Sequence, residues 1–235
     1  MNTKSFDCIV YLAPSASLKD LLDNPKILLQ PDQLPAIHST LSFSSKTLIK
    51  FGAFKTALVG YSSKPLFGES LRVCMKQCFY QNPGSDTCKI YDGCKQAEKL
   101  TVELNCLGWA SALMNVVYKF IEKEEEVQGK RPSFEVPEMR FVQCGLAIAD
   151  IDNEKTAYLV EEVIDNTEEG WFVKYLNNDS AIPRVFSCKD WTTRSEFLSF
   201  AQHVQFLKTD GTAYVSDFQG KYTSDLRQIH LSYQL

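Results

Sequence analysis

SLRVCMKQCFY, residues 70–80, is an apolar run with a lysine near its middle. Val73, Cys74, Met75, Phe79 and Tyr80 suit a β-strand, and turn-forming Gly68 and the dipeptide Pro83-Gly84 flank the run. Lys76 breaks the apolar character. A lysine among buried side chains costs free energy unless an anion meets it, and otherwise it lies on an edge strand and faces water. Upstream, TLIKFGAFKTALVGY (residues 47–61) is again strand-like and contains Gly52. A glycine between two strands lets backbone approach a phosphate closely. Neither GxGxxG nor GxxxxGK[ST] occurs, so neither a Rossmann site nor a P-loop is supported.

Working outward, residues 1–44 hold Pro14, Pro25, Pro31 and Pro35 and read as an irregular N-terminal extension with one short helix near residues 18–23. The loop at residues 82–93 is turn chemistry. Beyond it Leu100, Leu104, Leu107, Met114, Val117 and Ile121 recur at helical spacing, and the helix ends in Glu122, Glu124, Glu125 and Glu126, a solvated face. Residues 139–150 and 155–164 predict two strands. Residues 195–207 predict a second helix with Ser195 as its N-cap, and a strand after Asp210-Gly211 leads to Asp217. Strands, long helix, strands, helix and strand together predict an α+β fold with two lobes and a cleft between them.

The chain has 235 residues, a net charge of −4 and no basic arm, which disfavours nucleic acid as a partner. No run is read as long and apolar enough to cross a bilayer, and residues 1–20 make a poor signal peptide, so no membrane partner and a cytoplasmic location are expected. The eight cysteines form no CxxC pair and read as free thiols in a reducing compartment.

Near the C-terminus AYVSDFQG (residues 213–220) places Asp217 and Gln219 two apart after a predicted strand. Strand alternation would put both on one face, where a carboxylate and an amide oxygen suit Mg²⁺. The same residues also fit an ordinary turn. His203 stands alone on a half-apolar helix, a setting more typical of a core residue than of a ligand. There is no GxSxG, no HExxH and no evident Cys/His nucleophile pair. A lysine, a glycine turn and an Asp/Gln pair fit phosphoryl transfer, which needs positioning and charge neutralisation more than covalent chemistry.

GAFKTA (52–57), VCMKQCFY (73–80), PEMRFVQCGLA (137–147), AYLVEEVIDNTEEGWFVKYLNN (157–178), FLSFAQHVQF (197–206) and YVSDFQG (214–220) together resemble the alpha-kinase domain of atypical protein kinases, most of all its fungal members. The resemblance implies a two-lobed kinase-like fold spanning residues 45–235 with an ATP cleft between the lobes. It also implies a protein serine/threonine kinase using ATP and Mg²⁺ on a protein substrate that the sequence leaves unidentified. Gly52 and Lys55 would lie in the glycine loop, Lys76 on the ATP phosphates and Glu161 in the hinge at the adenine edge. Lys174 and Asn178 would be near substrate or phosphate, and Asp217 and Gln219 would hold Mg²⁺. His203 matches a zinc ligand of the family. The family's TDPQI element, with its catalytic aspartate, is replaced by TSDLRQIH, where Asp225 is the available carboxylate and lies two residues early relative to Asp217. Family members continue into a glycine-rich loop and a His/Cys segment, whereas this sequence stops at Leu235. A structural zinc needs four ligands, so His203 alone gives no expectation of bound zinc. The alternative reading is a catalytically impaired kinase-like module that binds nucleotide or acts as a scaffold.

Overall fold

A computed structural model describes residues 3–24, 30–44, 46–47, 49–82, 87–151, 154–164, 172–177, 180, 182–223 and 228–232. In chain order the elements are β1 (Thr3–Leu12), α1 (Leu18–Asp23), β2 (Ala36–Ser44), β3 (Lys50–Phe51), β4 (Lys55–Ser62), β5 (Arg72–Gln81) and β6 (Cys88–Ile90). They continue with α2 (Gly93–Gln128), β7 (Glu138–Phe141), β8 (Cys144–Ile151), β9 (Glu154–Glu162), β10 (Val173–Lys174), α3 (Lys189–Lys208), β11 (Gln219–Thr223) and β12 (Gln228–Ser232). The fold is α+β, as expected. The chain divides into two compact units: residues 1–14, 23–108 and 143–163, and residues 15–22, 109–142 and 164–235.

In the first unit β4 bonds to both β2 and β5, so the order β4-β2-β1-β8-β9-β5 returns on itself as a closed six-stranded barrel, with β3 and β6 as flanking strands. Every pairing around the ring is antiparallel. Closure removes the free edges at which strands would pair with other chains. Alternation sends Cys8, Val10, Leu41, Leu58, Val73, Met75, Ala147, Ala149, Tyr158 and Val160 inward, where they form one core cluster with Leu66 and Phe67.

The reading of residues 1–44 as irregular is corrected by β1 and β2, which run from Thr3 opposite Ser44 to Tyr11 opposite Ala36. The prolines that suggested irregularity fall outside the strands, where a missing N–H breaks no ladder bond. The expected α1 is present. The single strand expected over residues 139–150 is two. β7 belongs to the second unit and β8 to the first, and the chain changes unit after Val142. A short strand, β6, also occupies part of the expected loop at residues 82–93.

The long helix starts earlier than its apolar spacing indicates. Asp92 caps it, its carboxylate accepting the Lys95 N–H at 2.9 Å. Gln96, fully buried, bonds both backbone groups of Cys78 and ties the first turn to β5. Gly93 is required at this start: a Cβ there would overlap the backbone carbonyl of Lys155. The expectation that no stretch could cross a bilayer is corrected by α2, where an 18-residue window reaches a mean hydropathy of 1.2 and is 50% buried within the protein. Core helices of globular proteins reach the same value.

The second unit has a four-stranded sheet in the order β10-β11-β12-β7, with β12 and β7 parallel and the other pairs antiparallel. Leu113, Met114, Val117, Met139, Phe141, Tyr175, Phe197, Leu198, Ala201 and Phe218 are buried there. Tyr118 stacks on Phe197, and its hydroxyl accepts the Met139 N–H at 2.7 Å, which pins β7 to α2. Burial pushes that phenol up to about 12. Helix α3 begins at Lys189 after Cys188, so Ser195 is not its cap. Ser195 is buried inside the helix and donates to the Tyr175 carbonyl at 2.9 Å.

Candidate functional site

In the first unit, pairing fixes which side chains meet. On β5, Val73 and Met75 point into the barrel, so Cys74 and Lys76 point outward. Lys76 stands opposite Ala57 on β4 and Leu159 on β9, and Cys74 stands opposite Glu161. Glu161 is also opposite Cys144 on β8. From this arrangement the Lys76 ammonium reaches the Glu161 carboxylate at 2.5 Å, with the side chains 20% and 7% exposed.

Burial alone would depress the Lys76 ammonium, but the Glu161 carboxylate, with a further contribution from Glu103, reverses the effect and holds its pKa above the ordinary lysine value. A raised folded pKa contributes stability that is fully present below the unfolded value and lost only as pH rises through the folded one. Lys76 is therefore a cation throughout the neutral range. Burial pushes the neighbouring Cys74 thiol up to about 11, so no thiolate competes for the ammonium.

Lys55, at the start of β4, forms its own pair with Glu103 of α2 at 2.5 Å. Gly52 lies in the turn between β3 and β4, and its N–H is bonded to the Lys55 carbonyl at 2.8 Å. The aromatic rings on either side, Phe51 and Phe54, are exposed. Glu161 lies within β9, near the end of the first unit at Val163.

In the second unit, the strand expected before Asp217 is absent, and β11 begins only at Gln219. Alternation therefore does not relate Asp217 to Gln219. Asp217 instead has a left-handed backbone, φ 58°, and is 3% exposed. A non-glycine residue in that region is strained, and such strain persists only where the surroundings enforce it. Gln219 is the cross-strand partner of Lys174, and the Lys174 ammonium lies 2.6 Å from Asp217 Oδ1. That oxygen is buried, and the Lys174 ammonium is its counter-charge. Backbone bonds from Tyr175 and Leu176 to the Phe218 carbonyl close the frame.

The structure thus brings Lys174, Asp217 and the start of β11 at Gln219 together in one unit, and Lys76, Glu161, Lys55 and Glu103 together in the other. His203 is exposed on α3, and among the described residues no three His, Cys, Asp or Glu side chains cluster as a metal site. Asn178 and Asp225 lie outside the described residues. All eight cysteines are free.

Sequence reading missed Glu103, Gln202 and Gln205. The glutamines carried a legible signal, since they share the buried stripe of α3 with Leu198, Ala201 and Val204. It also missed Lys221 on β11, which is 1% exposed.

The profile of the alpha-kinase family matches residues 68–233. The chain belongs to the alpha-kinase family. No curated protein matches it. The match contains Lys76, Glu161, Lys174, Asp217 and Gln219, whereas Gly52, Lys55 and strands β1 to β4 precede it.

Proposed function

We propose that the protein is an ATP-dependent serine/threonine protein kinase of the alpha-kinase type, which passes the γ-phosphate of Mg-ATP to a protein hydroxyl. The observation that carries the reading is Asp217. It is a buried, strained carboxylate inside the family match, with one oxygen met by an ammonium. Strain of this kind clusters at sites where a side chain must be presented in one orientation. The donor set fits the nucleotide and its metal, with a lysine cation for phosphate oxygens and the Asp217 carboxylate for a hard cation.

When bound, ATP supplies the phosphoryl group and Mg²⁺ neutralises charge on its oxygens. Lys76, aligned by Glu161, would bind phosphate oxygens as a permanent cation. Asp217 and Gln219 would hold the metal, and Lys174 adds positive charge beside them. Lys55, paired with Glu103, would add a further cation near the glycine turn. The nucleotide cleft of such kinases is part of the same proposal. Eight free thiols fit a reducing, cytoplasmic setting.

The test is transfer of labelled γ-phosphate to a generic basic protein or to the enzyme itself. Wild type is expected to label serine or threonine, with Lys76→Ala and Asp217→Asn each lower by on the order of 10²–10³-fold. Equal labelling by wild type and Lys76→Ala would refute the assignment.

A further inference from the structure

The segment leading to Asp217 has no strand partners of its own, and α3 sets its course. Val215 is held at both backbone groups: its N–H donates to Gln205 Oε1 at 2.9 Å, and its carbonyl accepts from Gln202 Nε2 at 2.8 Å. Two residues earlier, Thr209 Oγ1 bonds the N–H and carbonyl of Ala213 at 3.0 and 2.8 Å. Gln202 and Gln205 are buried, and Gln205 Nε2 makes no hydrogen bond.

An amide with an orphaned donor is a poor filler for a helix core, where leucine would pack without that cost. The chemistry fixes each orientation. An N–H can only donate, so it must face Oε1 of Gln205, and a carbonyl can only accept, so it must face Nε2 of Gln202. Together they grip the two successive peptide units that meet at Val215, two residues before the left-handed Asp217.

Resting on the kinase reading, we propose that Gln202 and Gln205 are positioning residues. By fixing Val215 they hold the Asp217 carboxylate in the orientation that a divalent cation requires. Neither touches the cation; both act through the backbone.

The two orientations make the test asymmetric. Gln205→Glu still offers the Val215 N–H an acceptor, because a carboxyl oxygen accepts whether the group is ionised or protonated. Gln202→Glu offers the Val215 carbonyl a donor only while its carboxyl is protonated, so the comparison is made above about pH 8, where the ionised carboxylate has no donor to give. Calorimetry of ATP binding by the full chain, with and without Mg²⁺, would compare wild type with Gln202→Met, Gln205→Met, Gln202→Glu and Gln205→Glu. The Mg²⁺-dependent affinity is expected to fall by about 10–100-fold in both methionine variants and in Gln202→Glu. It should stay near wild type in Gln205→Glu, and metal-free ATP binding should be unchanged in all four. If a methionine variant does not fold, the two glutamate variants carry the comparison.

Three outcomes overturn the inference: an unchanged Mg²⁺ dependence, a parallel loss of metal-free ATP binding, or equal damage from Gln202→Glu and Gln205→Glu. A wild type that binds ATP without any response to Mg²⁺, or not at all, overturns the kinase reading itself and the inference with it.

Discussion

At the scale of the residue, Asp217 separates stability from function. Its φ of 58° suits glycine, while any other L-residue there is strained by about 1–2 kcal/mol. Asp217→Gly should therefore melt a few degrees above Asp217→Ala, although both lose Mg²⁺-dependent ATP binding. Thermal unfolding followed by circular dichroism decides it, and an alanine variant at least as stable as the glycine variant would disprove the strain. YVSDFQG drew attention to Asp217, but the geometry of that residue was not legible there. Alternation presumes extended backbone, and no local signal in the sequence announces a left-handed aspartate. Lys76 shows the same division. Its apolar surroundings on β5 showed that it needed an anion, but Glu161 lies 85 positions away and meets it only through the β5–β9 register. The sequence reading sent Glu161 to the adenine edge, while the structure pairs it with Lys76.

At the scale of the element, helix α2 depends on the residue that starts it. Gly93 sits where any side chain would collide with the backbone of Lys155. Gly93→Ala should cost about 1–3 kcal/mol, the usual range for an extra methyl forced into a packed site. Urea denaturation would measure it, and a neutral result would show that the helix start can move. The apolar stripe of α2 was readable because a helical period repeats over many turns. Its first turn was not, since there the helix is held by Asp92 and Gln96, polar side chains outside the stripe. β1 and β2 were lost for a related reason. TKSFDCIVYL carries a continuous apolar run from Cys8 to Leu12, but the prolines beyond it outweighed that signal.

At the scale of the whole molecule, the two units are interleaved in the sequence, and the chain passes between them after residues 14, 22, 108, 142 and 163. Cutting at the start of the family match would remove β1 to β4 from a ring that needs three of them, β1, β2 and β4. A chain beginning at residue 68 is expected to lack cooperative thermal unfolding and to aggregate through the bared edges of β5 and β8. A sharp, reversible melt from that fragment would show that the barrel is dispensable. Sheet topology at this distance was beyond sequence reading, because ring closure is a property of six registers together.

The closed ring also sets a timetable for the newly made chain. β1 leaves the ribosome well before β8, and Ile9 must wait for Ile148 before the circle can be completed. At about 5–20 residues per second, that interval is on the order of ten seconds. Throughout it, the hydrophobic faces of β1 and β2 await their partners. During its synthesis the chain therefore bares strand edges of the kind that pair with other chains.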